Sequence, residues 1–288
     1  MNLPFTPALQ GQLRAWLNED IGRGDLTAAA LAGCSGRAHW LAKADGVFCG
    51  GVLVEPLFRM LDPAVRVRPL VVDGETVGIG QRLLELEGPA AALVAAERTA
   101  LNLAMRLSGV ASATAALVRQ LEGTGVGLAD TRKTTPGLRV LEKYAVRCGG
   151  GVNHRFGLDD AAMLKENHLA WSGGVAGGLE AAIAAVRANG PWPARVIVEA
   201  ETGAEAAAAV RAGADGVLLD EFTPGQLVEL VPRLRALAQG RGLVLEASGV
   251  QPAQIQAYAT SGIDLISTSA PITRSPWLDL SMRFDRDS

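Results

Sequence analysis

The chain has 288 residues, of which 49% are hydrophobic, 20% charged and 5% aromatic, and its formal net charge is -3. That apolar content over that length buries a substantial core, as one large α/β domain or two smaller ones. A slightly acidic chain poor in aromatics lacks the broad basic, base-stacking surface of a nucleic-acid binder, so no nucleic-acid partner is expected.

Cys34, Cys49 and Cys148 are odd in number, far apart and without a CxxC pair. They offer no zinc ribbon or disulfide framework and fit a reducing cytoplasm. The first twenty residues lack a basic segment followed by an apolar run. No apolar stretch reads as the roughly 20 residues of a membrane span, so a cytoplasmic protein with no membrane partner is expected.

Leu9, Leu13, Trp16 and Leu17 recur at helical spacing over 8–19, and the glycine-rich DIGRGDLT closes that helix. From Arg37 to about Gly88 short strand-like runs (AHWLAKA, GVFCGG, AVRVRPLVV, RLLELEG) separated by Gly, Pro and Asp predict an antiparallel sheet in a separate N-terminal α+β domain. Pro89 then suits a helix start, and Gly109 is expected to interrupt the long Ala/Leu run after it into two helices. Beyond Gly125 strand-like and helix-like segments alternate regularly, which predicts parallel β/α units. Five or six such units are fewer than the eight of a closed barrel, so an open one is expected. SPWLDLSMRFD at the end alternates as a strand returning to the N-terminal domain.

Each of the expected parallel strands finishes in a polar group: Asp130, Lys165, Glu199, Asp220, Glu246 with Ser248, and Ser267 with Ser269. Parallel strands open their C-termini onto one face, so these groups converge although they are spread along the sequence. Residues 130–168 also concentrate positive charge in a chain that is acidic as a whole, with Arg132, Lys133, Arg139, Arg147, His154, Arg155, Lys165 and His168 around a GGG turn. Local concentration against an acidic background points to a small acidic ligand. Arg132, Lys133, Arg155 and Lys165 fall at strand ends or in glycine-rich loops and suit carboxylate or phosphate groups. Arg139, Lys143 and Arg147, four apart, read as a solvated helix face. Glu199 and Asp220 suit developing positive charge or a divalent cation, or else act as salt-bridge partners or caps. No GxxxxGK[ST], strand-borne GxGxxG, GxSxG or HExxH is present, which sets aside the common ATPase, dinucleotide, hydrolase and zinc-peptidase readings.

GRGDLT, ERTALNLAMRLSGVAS, DTRKTTPGLRVLEKYAV, GGGVNHRFGLDDAAMLKENH, VIVEAET, GVLLDEF and EASG occur in that order along the whole chain. In these motifs the sequence resembles the quinolinate phosphoribosyltransferase family. The resemblance implies an N-terminal α/β sandwich domain over 1–109, joined by the C-terminal segment 272–288, and a catalytic incomplete α/β barrel over 110–271. It implies phosphoribosyl transfer from phosphoribosyl pyrophosphate to quinolinate with loss of carbon dioxide, Mg2+ as cofactor, and a homodimer or higher even oligomer with shared active sites. By motif position Arg132, His154, Arg155 and Lys165 would face quinolinate, with Lys133 near the phosphates and Arg98 supplied across the subunit interface. Glu199 and Asp220 would serve the ribose and the metal; Ser248, Gly249 and Ser269 would meet the 5′-phosphate. Lys133, Lys165, Glu199 and Asp220 would carry the catalysis.

The sequence departs from the usual family pattern in LDEF for LDN, LKENH for IKDNH, EASGV for SGG and STSAPITRS for a stretch closer to VGALTHS. Glu221 in place of Asn adds a negative charge beside Asp220. Two other readings stand beside the main one: a related phosphoribosyltransferase-fold protein with another acceptor, and a non-catalytic anion-binding sensor. RKT…PG and LKENH favour quinolinate over the first, and the two retained carboxylates speak against the second.

Overall fold

A computed structural model of the chain describes residues 3–171 and 175–285, and of 169–171 and 175–177 the backbone only. Residues 1, 2 and 286–288, at the ends of the expected N-terminal domain and its C-terminal segment, lie outside the described residues. In chain order the elements are α1 (Pro7–Ile21), β1 (Ser35–Ala42), β2 (Gly46–Val47), α2 (Val54–Leu61), β3 (Arg66–Pro69), β4 (Thr76–Val77), β5 (Arg82–Pro89) and α3 (Ala90–Arg119). They continue with β6 (Gly127–Ala129), α4 (Arg139–Cys148), β7 (Ala162–Leu164), α5 (Glu166–Trp171), α6 (Val175–Asn189), β8 (Val196–Ala200) and α7 (Gly203–Arg211). The last are β9 (Gly216–Asp220), α8 (Pro224–Ala238), β10 (Val244–Ser248), α9 (Ile255–Ala259), β11 (Leu265–Ser267), α10 (Ala270–Thr273) and β12 (Leu280–Phe284).

The chain divides into two compact units, the first of residues 1–115, 135–150 and 271–288, the second of 116–134 and 151–270. The segment 135–150, inside the stretch expected to form the barrel domain, thus clusters with the first unit.

In the first unit an antiparallel sheet runs in the order β12-β1-β5-β3. The C-terminal strand pairs with β1, Trp40 opposite Met282, as the alternation of its sequence predicts. Trp40, Leu84 and Leu86 of this sheet pack with Leu9, Leu13 and Leu17 of α1 in one core. The helix α1 begins where the Thr6 side chain accepts the Leu9 N–H at 3.2 Å, a cap that answers one of its unpaired amides.

Two expectations are corrected here. Gly109 does not break α3, which runs unbroken for 30 residues. A Cβ at Gly109 would lie 2.0 Å from the Pro276 carbonyl oxygen, so glycine is there to let the chain approach, and the ~1 kcal/mol it costs the helix is tolerated. By length and composition alone this helix is also long and apolar enough to cross a membrane, a test that core helices pass too, and half of its most apolar window is buried. Leu93, Ala96, Ala100, Leu101, Ala104, Leu107 and Ala111 are buried in the core, at the spacing of a helix enclosed by protein. Likewise the basic residues of α4 are no solvated face: Lys143 is fully buried and Arg139 half-buried, with only Arg147 exposed. Leu141 to Val146 are buried without a break, because α4 is surrounded within its unit and has no free side over those turns.

The second unit is an all-parallel, six-stranded sheet in the order β6-β11-β10-β9-β8-β7, open between β6 and β7. Val196, Val198, Val217, Leu219, Leu245, Ala247 and Ile266 face one way and pack against Ile183 of α6, Val210 of α7, Leu227 and Val231 of α8 and Ile255 of α9. Alternation along a strand turns the intervening residues, among them Glu199, Asp220, Glu246 and Ser248, to the opposite face. The incomplete α/β barrel expected from the repeat is thus present, with its helix-packed side apolar and its other side polar near the strand ends.

Candidate active site

Register decides which strand ends meet. Leu164 lies opposite Val198, so Lys165 follows beside Glu199, and the Lys165 ammonium donates to Glu199 Oε2 at 2.5 Å. Asp220 lies directly opposite Ser248, and Ser267 opposite Ala129. Lys165, Glu199, Asp220 and Ser248 are therefore neighbours across the sheet edge although far apart in sequence, as parallel strands require.

Beyond β9 the backbone turns sharply at Glu221, whose φ of 57° is left-handed. Asn, the family's usual residue here, tolerates that region best after glycine, whereas a glutamate costs on the order of 1–2 kcal/mol. Gly249 also has a positive φ, of 75°, and a Cβ there would stand 3.3 Å from Glu221 Cγ and 3.5 Å from its backbone nitrogen. The turns after β9 and β10 thus lie against each other, and Gly249 is what allows it. Ser269 follows two residues after β11 and is half-buried.

The loop after β6 carries the cationic side. Thr131 Oγ1 accepts the Lys133 N–H at 3.0 Å and shapes a turn from which Arg132 and Lys133 are exposed. Arg155 is half-buried, and its Nη1 donates to the Ala161 carbonyl at 2.8 Å. Burial, then the Arg132 charge, lowers the pKa of the Arg155 guanidinium, while Asp160 acts the other way. A half-buried guanidinium that feels a second positive charge is favoured by an anion beside it.

Carboxylates crowd the opposite flank. The charge of Glu166 first, then some loss of hydration and the charges of Glu205, Asp220 and Glu199, raises the pKa of the exposed Glu201. A carboxyl whose folded pKa is raised disfavours the folded state as pH climbs through the ordinary carboxylate range, and a cation relieves that cost. Among the described residues no three His, Cys, Asp or Glu side chains are grouped to hold a metal, and Glu199 is engaged by Lys165. The donor set suits a magnesium ion shared with a substrate's phosphates, which takes one or two carboxylates, rather than a resident cage.

His154 sits beneath this edge. Its backbone N–H donates to Asp130 Oδ1 at 2.8 Å, Asn153 Nδ2 donates to Asp130 Oδ2 at 2.7 Å, and the ring Nε2 lies 3.3 Å from Glu246 Oε2. Asp130 and Glu246 stand out in the sequence only as strand-end acids, and no spacing rule links them to His154. A second such group, in the first unit, escapes sequence reasoning altogether. Glu142 is wholly buried, accepts from Arg106 Nη2 at 2.7 Å and from the N–H and hydroxyl of Thr135, each at 2.8 Å, and so ties down the start of TPG. Arg98 also belongs to the first unit. It is exposed on α3 and borders a cavity of about 580 Å³ with Trp16, Asn102, Arg106 and Trp277. The other candidate site residues, Arg132, Lys133, His154, Arg155, Lys165, Glu199, Asp220, Ser248, Gly249 and Ser269, all belong to the second.

An open parallel α/β barrel with a lysine–glutamate pair and neighbouring carboxylates at its strand ends defines an α/β-barrel protein whose charged groups gather over its strand C-termini. Models of the quinolinate phosphoribosyl transferase N-terminal and C-terminal domains match residues 25–108 and 110–283. The chain belongs to the quinolinate phosphoribosyl transferase family. It is 42% identical to a probable nicotinate-nucleotide pyrophosphorylase [carboxylating] of Synechocystis, over 96% of this chain and 92% of that one. Its identity to a protein of the same description from Bacillus subtilis is 41%, over 94% and 93%. Among solved structures, the nicotinate-nucleotide pyrophosphorylase from Francisella tularensis superposes with a TM-score of 0.88 at 34% identity, covering 99% of each chain.

Proposed function

We propose that the chain transfers the phosphoribosyl group of phosphoribosyl pyrophosphate to quinolinate, releasing pyrophosphate and carbon dioxide and leaving nicotinate mononucleotide for NAD synthesis. The observation that carries the reading is the sheet edge itself, where the Lys165 ammonium and the Glu199 carboxylate are paired at the ends of neighbouring parallel strands, on the same edge as Asp220. Full-length similarity to carboxylating pyrophosphorylases supports the same reaction.

Arg132, Arg155 and Lys165 hold the two carboxylates of the acceptor, so that its ring nitrogen is in line with the anomeric carbon. Lys133 attends the diphosphate, and Ser248, Gly249 and Ser269 the 5′-phosphate. As the bond to pyrophosphate breaks, the ribosyl centre gains oxocarbenium character, which Glu199 and Asp220 stabilise. Glu199 and Asp220 would hold a magnesium ion brought by the diphosphate, which would supply neutralisation of leaving-group charge. The nitrogen–carbon bond formed makes the ring a cationic pyridinium. It then accepts the electron pair left when the adjacent carboxylate departs as carbon dioxide, and a proton taken up at that carbon completes nicotinate mononucleotide.

Incubation with quinolinate and phosphoribosyl pyrophosphate should yield nicotinate mononucleotide, pyrophosphate and carbon dioxide in equal amounts. Nicotinate as acceptor should yield far less, because it lacks the second carboxylate that Arg132, Arg155 and Lys165 would meet. No product from quinolinate, or equal turnover of nicotinate, would overturn the reading.

The protein acts in the cytoplasm as a homodimer or a higher even oligomer in which Arg98 serves the partner's site. Arg98→Ala and Lys165→Ala chains, each inactive alone, should regain roughly a quarter of the activity when mixed as random dimers, since half of those dimers are mixed and carry one intact site of two. Verified mixed dimers with no activity would confine Arg98 to its own chain.

A further inference from the structure

Glu246 sits mid-strand on the face of β10 turned away from the helices, opposite Leu218 on one side and Leu265 on the other. Neither neighbour offsets a charge, and the carboxylate is only 4% exposed. A carboxylate so buried requires a partner, and His154, 10% exposed, holds Nε2 3.3 Å from Oε2. The other oxygen, Oε1, is buried and meets no hydrogen-bond donor among the described residues, an arrangement a protein retains at a cost in stability.

The ring's orientation follows from its other nitrogen. His154 Nδ1 accepts the Arg155 backbone N–H at 2.7 Å, so Nδ1 carries no proton in that contact and the ring proton is on Nε2, whose 3.3 Å approach to Glu246 Oε2 is a charge contact and not an aligned hydrogen bond. His154 is thus oriented by the amide of Arg155 on one ring nitrogen and by the charge of Glu246 near the other, while Asp130 accepts from its backbone N–H. A cavity of about 190 Å³, lined by His154, Arg155 and Glu246 with Ile197, Val244 and Leu265, leaves room for the ring to turn if it is released.

We infer that Glu246 is a positioning residue for acceptor binding, holding His154 in the Nε2–H tautomer and, through the Arg155 amide, setting the Arg155 guanidinium toward the acceptor's carboxylate. The inference rests on the proposed role of Arg155 toward quinolinate.

Two variants of the full-length enzyme test it. Glu246→Gln keeps the volume and an acceptor oxygen, so the tautomer should persist and the KM for quinolinate should stay within about 3-fold of the parent. Glu246→Leu removes the acceptor but strands no charge, because the Nε2–H ring is neutral, and a thermal melt beside the kinetics checks that the variant folds. Its KM for quinolinate should rise on the order of 10–100-fold, with kcat and the KM for phosphoribosyl pyrophosphate within about 2-fold. With three histidines in the chain, ¹⁵N spectra of the imidazoles read the tautomer directly. They should give one Nε2–H form of His154 in the parent and in Glu246→Gln, and its loss in Glu246→Leu. A parent ring protonated at Nδ1, or KM values that rise together for both substrates, would overturn the inference. The spectra need no turnover, so a chain inactive on quinolinate would sink the proposed reaction and still leave the ring assignment decided.

Discussion

Replacing Lys165 by alanine is expected to lower kcat/KM for quinolinate on the order of 10²–10³-fold, the loss typical of one preorganised charged donor, while the melting midpoint moves by no more than about 4 °C. The two halves of this expectation come from the same geometry. The Lys165 side chain is 43% exposed, so its pair with Glu199 is largely screened by water and contributes at most about 1 kcal/mol to stability. Its value lies in what happens when a dianionic acceptor excludes that water, where the same charge acts through a lower dielectric. Lys165→Arg keeps the charge but replaces a compact ammonium with a longer planar fork, and should recover only part of the activity. Steady-state kinetics beside a thermal melt on each variant separate the cases. Activity that survives in Lys165→Ala would remove the residue from the site, and a melt that collapses along with activity would make the pair structural.

Legibility from sequence tracks how local the determining physics is. Parallel strands buried on both faces read as short apolar runs, and the helices between them as Ala/Leu periodicity, so the order of units and the polar strand ends are visible in the sequence itself. Register does the rest, because Lys165 and Glu199 become neighbours once Leu164 pairs with Val198. Gly109 misleads because a helix-breaking propensity near 1 kcal/mol is a local quantity, whereas the Pro276 carbonyl that demands a glycine is distant in sequence. Lys143 misleads for a related reason: a spacing of four says which residues share a helix face but not whether that face is covered. The supports of the site are the least visible. Glu246 reads as one more polar residue in a strand, and nothing in its neighbours announces that a histidine 92 positions earlier (246 minus 154) needs it.

Glu142→Ala is the prediction with the largest expected effect on stability, a loss of about 3–5 kcal/mol, the cost of breaking a buried ion pair by deleting one partner. Glu142 has no exposed surface, and four hydrogen bonds end on it: two from Arg106 and two from Thr135. Its removal strands the Arg106 guanidinium, 13% exposed, with the Ser275 hydroxyl and the Ile272 carbonyl left to accept from it among the described residues, and leaves the Thr135 amide unanswered. At about 2–4 °C per kcal/mol for a domain of 150–250 residues, the midpoint should fall by roughly 10 °C. The reason is the stranded charge rather than the lost attraction, and a double replacement distinguishes the two. Arg106→Met with Glu142→Leu removes both charges and fills their space, so it should be less destabilised than either Arg106→Ala or Glu142→Ala. If the double variant instead lost the sum of the single effects, the four contacts would be independent, and Glu142 would be one polar group among many rather than the anchor from which Thr135 and the start of TPG are held.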